Sequence, residues 1–580
     1  MKDKIKLNNY FVLSYNLNLE NLTPNNNNFE IIYGDKTPIK ILQTSKTIKS
    51  YFIGHPKIYS NNQNEKIEDF WKNNYRKIGQ YKNIDCEFVI INLSQDIVEV
   101  INSRFSSPQV YYFKDKDILI ISSNFYAISL ILNKLNKFQI DNLSLFEFLN
   151  YRRIFDVDTL DINTKILEPA SILTFENSTI KIKKYWRPSF IKKNKSLEYF
   201  SKKLILATKN SIKKKYEKRN SCLLLSGGLD TRFILSMISK INKCYTITYS
   251  KNLELKIAKR IANICSIAHE WIQIKKNHYN NNFNHNIRCI GGSYMGDGLL
   301  MSHDKIEQNQ IIYSGYAFDY FFQGMYIPQK NIKLFGKKTF FKKKIKISEN
   351  ATNFFINNIN YKNYDEDLYK LFNRKDLINL KQKHENKLNN LIEKNKDILN
   401  NLEDQYEFLC FHNLSRHYTY GGQLAISEMS EHRVIGYTNE IYDLYLSMPS
   451  KYRFDGKVIK RALKINNKEL ANIPSANHGF KVTDSSFKIG VKHIFDYFFK
   501  LKFIRKNKGF DRTWFEIDKM LDEELFNKVL ETKNNLLINL SIFNKKNLNY
   551  LLSNFVNKKI KGNKTILLIT TINNFLSQIK

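Results

Sequence analysis

The sequence predicts a two-domain chain of mixed α/β and α+β class: a β-rich first third, then a parallel α/β sheet with a helical extension. Three observations predict it. Short alternating apolar runs with polar turns fill the chain up to Trp186. From Leu197 onward, helix-length amphipathic stretches alternate with short buried runs. Between them "RPSFIKKNKS" breaks the pattern, so the boundary is drawn to give domains 1–195 and 196–580. A chain of 580 residues also exceeds what one ordinary core accommodates.

The elements follow in order. "CEFVIINLS", "IVEVINSRF", "QVYYFKDKDILIISS" and "ASILTFENSTIKIKKYW" read as strands and hairpins, with "NLSLFEFLNYR" as a short helix among them. "LEYFSKKLILATKNSIKKKYEK" reads as an amphipathic helix. Then "SCLLLS", "CYTITYS" and "HEWIQI" read as strands, separated by the helices "TRFILSMISKI" and "LELKIAKRIANICS". That rhythm implies parallel strands with crossover helices. "IIYSG" reads as a further strand, and the region from about 340 to the end as mostly helical and lysine-rich. Within it "LKQKHENKLNNLIEKNKDILNNL" reads as a long exposed helix whose charges form a solvated face.

The strand "SCLLLS" empties into Ser226-Gly227-Gly228-Leu229-Asp230-Thr231. The glycines leave the backbone bare, and the loop's N–H groups face outward from a strand end, a setting for phosphate. The hydroxyls of Ser226 and Thr231 add donors. Asp230 is the oddity, because a carboxylate beside a polyphosphate requires a cation between them, and a hard divalent ion such as magnesium suits it. The loop has neither the GxxxxGK[ST] nor the GxGxxG spacing.

The loop resembles the PP-loop "SGGxDS" of enzymes that cleave ATP between the α and β phosphates. "YSGYAFDYFFQG" resembles the "SGxGaDElfgG" segment of the asparagine synthetase family, matching Ser314, Gly315 and Asp319. "SEHRVIGYTNEIYDLYLSMPSKYRFDGKVIKRAL" resembles the family's "E-x-R-x-P-F-L-D … K-x-x-L-R" block, matching Glu431, Arg433, Lys457 and Arg461, while Ile435-Gly436-Tyr437-Thr438 replaces Pro-Phe-Leu-Asp. The first third is similar to class II glutamine amidotransferase (Ntn) domains through "INSRFSSPQVYYFKDKDILIISSNFYAI".

The resemblance implies a degenerate amidotransferase-like domain followed by an asparagine synthetase-type PP-loop domain. It implies an ATP-dependent amide-forming ligase that activates a carboxylate as acyl-adenylate, releasing AMP and pyrophosphate, for attack by an amine or ammonia. ATP and Mg2+ are the implied cofactors, with Asp230 and Asp319 on the metal. The nucleotide would lie on Leu225, Ser226, Gly227, Gly228, Thr231, Ile247, Ser314 and Gly315. Tyr316 stands as in β-lactam synthetases, where a Tyr–Glu pair deprotonates the attacking amine, so Tyr316, Glu431 and Lys457 are the expected catalytic residues. Two departures qualify this. No cysteine stands at position 2, where the chain has Lys2, so glutamine hydrolysis is not expected. Asn477 occupies the place of a charge-neutralising lysine, with His478 and Lys481 nearby. A tRNA-modifying PP-loop enzyme and a non-catalytic scaffold are the alternatives.

The formal charge is +37, but lysine is spread along the chain. The expectation is a solvated basic surface without a nucleic-acid partner. The expected partners are a small-molecule or peptide carboxylate and an amine or ammonia donor. The six cysteines never stand at CxxC spacing, and no zinc site is expected of them; they read as buried thiols in a reducing compartment. No apolar run reaches the roughly 18 residues of a membrane span, and the N-terminus lacks a signal-peptide core, so the expected location is cytoplasmic.

Overall fold

The computed structural model describes residues 1–25, 28–59, 65–238, 240–275, 277–294, 306, 310–334, 337–359, 361–363, 365–476, 480–485, 487–491, 536–557 and 564–580. Two antiparallel sheets form the N-terminal part. One has five strands in the order Lys165–Ile166, Tyr111–Asp115, Ile118–Ser122, Phe11–Tyr15, Phe29–Tyr33. The other has six, in the order Thr179–Lys184, Ser171–Glu176, Ile97–Asn102, Phe88–Leu93, Lys49–Gly54, Ile39–Gln43.

Alternation decides how they stack, because successive side chains leave a strand on opposite faces. Phe11, Leu13, Leu119 and Ile121 of the first sheet meet Ile53, Val89, Ile91, Val98 and Val100 of the second in one buried layer. The intervening Val12 and Ile120 face helices Phe125–Lys134 and Asn142–Tyr151. Phe52, Phe88 and Ile90 face Trp71 and Phe70 of helix Ile67–Asn74 on the far side. The result is helix, sheet, sheet, helix.

Helix α1 (Leu197–Lys215) leads out of this part. Ser196 caps it by accepting from the Tyr199 N–H at 3.1 Å, and Lys213, Lys214 and Lys215 lie in its last turn, where the dipole favours cations. The strands that follow, β1 (Ser221–Leu224), β2 (Lys243–Thr248), β3 (Ala268–Gln273), β4 (Ile311–Ser314) and β5 (Glu431–Val434), form one parallel sheet in the order β3-β2-β1-β4-β5. Helices α2 (Leu229–Leu235), α3 (Leu253–Ile264) and α4 (His278–Ile290) follow β1, β2 and β3. The chain moves outward from β1 to β3 and then returns to add β4 on the other side. The order therefore reverses between β1 and β4, and sheets of this kind bind ligands in the crevice at such a point.

Three differences from the sequence reading have physical causes. β5 was not expected as a strand, because "EHRV" has one apolar residue; Glu431 and Arg433 pair with each other and with Arg219 and Glu217, and His432 bonds the Ser314 hydroxyl of β4. The hairpin Gln329–Leu334 with Lys337–Lys344 was not expected, and its second strand runs into the region that reads as helical from about 340. The lysine-rich helix, Arg374–Glu393, is not solvated all round. Its Leu380, His384, Leu388 and Leu391 are buried, and Lys387 pairs with Glu147 at 3.0 Å and Asp158 at 2.8 Å.

The two parts share one apolar cluster, which runs from Val12 and Ile120 to Leu223 and Ile312. Buried polar links add to it. Asp85 accepts from Asn439 N at 2.6 Å and pairs with Lys214 at 2.8 Å, and Glu87 pairs with Lys215 and accepts from Val434 N. All six cysteines are free thiols, with only Cys265 partly exposed. Burial pushes the Cys86 thiol up to about 12, which makes it inert as a nucleophile. Among the described residues no helix is long and apolar enough to cross a membrane.

Candidate active site

The crevice is built by the loops after β1 and β4. Leu225 still pairs, its N–H donating to Tyr245 O at 2.8 Å. The ladder then stops. Ser226 Oγ accepts from Gly228 N at 3.2 Å and lies 3.2 Å from Thr231 Oγ1, so the two predicted hydroxyls hold the bend. A Cβ on Gly227 would stand 2.8 Å from the Ala476 Cβ, so only glycine fits there. Leu225 and Ile247 are fully buried and serve as wall.

β4 delivers the second loop. A Cβ on Gly315 would lie 3.3 Å from Asp230 Cβ and 3.0 Å from Ile234 Cδ1, so the missing side chain is what lets the second loop lie against Asp230. Ala317 takes a left-handed conformation, φ 74, and the short helix α5 (Phe318–Phe322) carries Asp319. Gln323 Nε2 then reaches back to donate to Asp230 Oδ1 at 2.7 Å. Ser314 has its carbonyl committed to Ile435 N at 3.1 Å and its hydroxyl 2.8 Å from His432 Nε2.

The two acids are therefore neighbours, and their electrostatics are strained. Burial raises the Asp230 carboxyl well above its ordinary value, and the Asp319 charge adds to the rise. Burial pushes Asp319 up to about 7. Among the described residues no lysine, arginine or histidine pairs with either acid. Two carboxylates in one crevice without a cation suit a hard divalent ion with oxygen ligands.

Sequence reasoning missed Arg232. Its side chain is buried beneath the loop without a carboxylate partner. Its guanidinium donates instead to four carbonyls: Gly227 at 3.0 Å, Leu470 at 3.3 Å, Ile473 at 2.8 Å and Pro474 at 2.9 Å. It ties the bend to the 470–474 segment and places a positive charge behind it. Desolvation lowers the group to about 10, which still leaves it charged at neutral pH. The available signal was an arginine on the buried stripe of "TRFIL".

Two expected catalytic residues do not join the site. Glu431 is the first residue of β5 and pairs in register with Ile311, the first of β4. It therefore stands at the opposite end of the strands from Asp319. Its carboxylate is taken by Arg433, Arg219 and His55, the last at 3.4 Å. The expected Tyr316–Glu431 pair is not formed. Tyr316 OH instead accepts from Thr419 Oγ1 at 3.2 Å, and Thr419 Oγ1 is 2.8 Å from His417 Nδ1. Burial holds the Tyr316 phenol well above its ordinary value, so it stays protonated. Lys457 begins helix α7 (Lys457–Asn466), is exposed, and sits 5.8 Å over the Phe454 ring; no described contact joins it to either acid. Lys481 donates to Asn472 Oδ1 at 2.9 Å, and Asn477 and His478 fall outside the described residues.

Residues 207–418 match the family model of asparagine synthase, a segment that contains both loops and both acids. No curated protein matches the chain. Solved structures similar to it include the allosteric regulatory enzyme of purine biosynthesis, at 8% identity over 54% of this chain and 69% of that chain with a TM-score of 0.21. Another is the glutamine phosphoribosylpyrophosphate amidotransferase from B. subtilis complexed with ADP and GMP, at 6% identity over 54% of this chain and 70% of that chain with a TM-score of 0.19. Likenesses of that size carry no argument about the site. The family match makes residues 207–418, and that segment alone, similar to asparagine synthase.

Proposed function

We propose that the crevice between β1 and β4 binds Mg-ATP and activates a carboxylate as its acyl-adenylate for attack by an amine or ammonia. The observation that carries this is the pair Asp230 and Asp319, held on adjacent strand ends with no cationic side chain between them among the described residues. A bound magnesium ion would neutralise these acids and the leaving pyrophosphate. The side-chain-free backbone of Gly227 and Gly228, with the Arg232 charge beneath it, suits the pyrophosphate itself.

A substrate carboxylate oxygen attacks the α-phosphorus of ATP, and the α–β bridging P–O bond breaks to release pyrophosphate. The amine nitrogen then attacks the acyl carbon, loses a proton and expels AMP. The chain's own part is positioning and charge. Gln323 orients Asp230, and the Ser226–Thr231 hydroxyl pair fixes the bend. Tyr316, protonated and steered by Thr419, orients the incoming amine through its phenol oxygen. The antiparallel part is proposed as an amidotransferase-like domain without glutaminase activity, consistent with Cys86 being a buried thiol of high pKa.

ATP–pyrophosphate exchange tests the reading. The chain is incubated with Mg-ATP, labelled pyrophosphate and a panel of carboxylic acids. Label entering ATP in the presence of one acid class supports the ligase and names its substrate. A folded chain that binds Mg-ATP but exchanges with no acid would leave a nucleotide-binding scaffold, and one that binds no Mg-ATP would sink both readings.

A further inference from the structure

Away from the crevice, the described residues bring together one mixed set of metal-ligating side chains: His285, Cys289 and Glu428, whose donor atoms all lie within 4.8 Å of one another. His285 and Cys289 stand four residues apart on α4, and so share one face of that helix. Glu428 comes from helix α6 (Tyr420–Met429), which packs against α4. Its carboxylate lies 3.7 Å from His285 Nε2.

We propose that these three side chains form a Zn2+ site. The donor set is imidazole, thiolate and carboxylate, the three classes that protein zinc sites draw on. Ligands of a tetrahedral zinc ion stand about 3.3–3.8 Å apart, so the His285–Glu428 spacing already fits, and the cysteine closes with a shift of about 1 Å.

Two further observations support it. The Glu428 carboxylate is pre-oriented, because Oε1 accepts from Asn8 N at 2.6 Å and Oε2 from Asn9 N at 2.9 Å. Partners of that kind fix a ligand's direction while leaving lone pairs for a metal. Cys289 and Glu428 also line a cavity of about 80 Å³ between the two parts of the molecule, with Asn9, Gln423 and Ser427. That is room for a water in the fourth position. His285, with 34% of its side chain exposed, gives the ion an entrance. Of the cations whose charge acts on these ligands, Lys36 is turned to the Met429 carbonyl at 3.0 Å and Arg288 donates to Gln578 Oε1 at 2.8 Å.

Binding replaces the Cys289 S–H bond by a Zn–S bond and releases the proton to solvent. It joins α4, α6 and the Asn8–Asn9 turn, and so fastens the antiparallel part to the parallel one. The site is independent of the ligase reading.

The test uses the full chain, stripped with a chelator and titrated with Zn2+ and, separately, with Co2+. One ion per chain is expected, with a thiolate-to-Co2+ charge-transfer absorption that vanishes in Cys289→Ser. His285→Gln, on a side chain about a third exposed, should weaken Zn2+ binding at least tenfold. Failure to bind one ion per chain overturns the proposal. So does charge-transfer absorption that survives in Cys289→Ser, which would assign it to another thiol such as Cys265, and so does unchanged affinity in His285→Gln.

Discussion

The two ends of the parallel sheet carry similar numbers of acids and treat them in opposite ways. At the end where the strands begin, Glu431 and Glu217 share Arg433, whose side chain is 1% exposed, and Arg219 completes the set. At the end where the strands finish, Asp230 and Asp319 face each other, and among the described residues Gln323 is the one polar side chain bonded to either. The first arrangement is closed: each charge has its partner in the chain. The second is open, and its two carboxylates resist ionisation together unless something positive arrives. What separates a structural cluster from a functional one in this molecule is charge left over, not the presence of acids.

That contrast can be broken or sharpened by substitution. Arg433→Met should have the largest effect on stability, about 3 kcal/mol in denaturant unfolding, because it removes the buried guanidinium that bonds the partly exposed Glu431 and Glu217 and the Lys215 carbonyl. Asp319→Asn should do the reverse. Relief of repulsion should raise the melting temperature of the metal-free chain, while ATP–pyrophosphate exchange falls on the order of a thousandfold. A drop in stability with exchange intact would invert the roles assigned to the two ends. Arg232→Met should unfasten the bend from the 470–474 segment and raise the KM for ATP about tenfold, with a smaller change in kcat.

The closed end also sets a pH response. Burial and Lys215 push His432 down to about 3, from 6.5, and burial with Arg433 and Lys215 lowers His55 in the same direction. The unfolded chain therefore binds protons between these values that the native chain does not. Stability is full above about pH 6.5 and is lost as pH falls, by about 1.4 kcal/mol per pH unit for each such histidine. Urea midpoints at pH 7 and pH 5 check this, and His432→Gln should reduce the slope. The smallest effect belongs to Glu431→Gln: exchange within about twofold of wild type and a stability loss of about 1–3 kcal/mol.

Much of this was legible in the sequence because the open end is written in short-range chemistry. The run from Ser226 to Thr231 shows its glycines, its acid and its strand context within a few residues, and "SGYAFD" does the same for Asp319. The alternation of the antiparallel strands was equally local. Glu431 was misplaced because its motif gives the residue but not which end of a strand it occupies; that depends on its register with Ile311, two chain segments away. β5 itself was hidden, since its arginine, glutamate and histidine are satisfied by partners that no local pattern reveals. Arg232 was missed because an arginine among apolar residues reads as a surface side chain until the 470–474 carbonyls fold over it. His285 and Cys289 had a readable spacing of four, but their third partner lies on a helix far along the chain.

Calorimetric titration of ATP into the wild type, Asp319→Asn and Glu431→Gln, each with and without Mg2+, tests the central contrast most directly. Wild type and Glu431→Gln should bind ATP in a magnesium-dependent way with similar affinity, while Asp319→Asn loses the magnesium dependence. Equal magnesium-dependent binding by Asp319→Asn, or its loss in Glu431→Gln alone, would contradict the account.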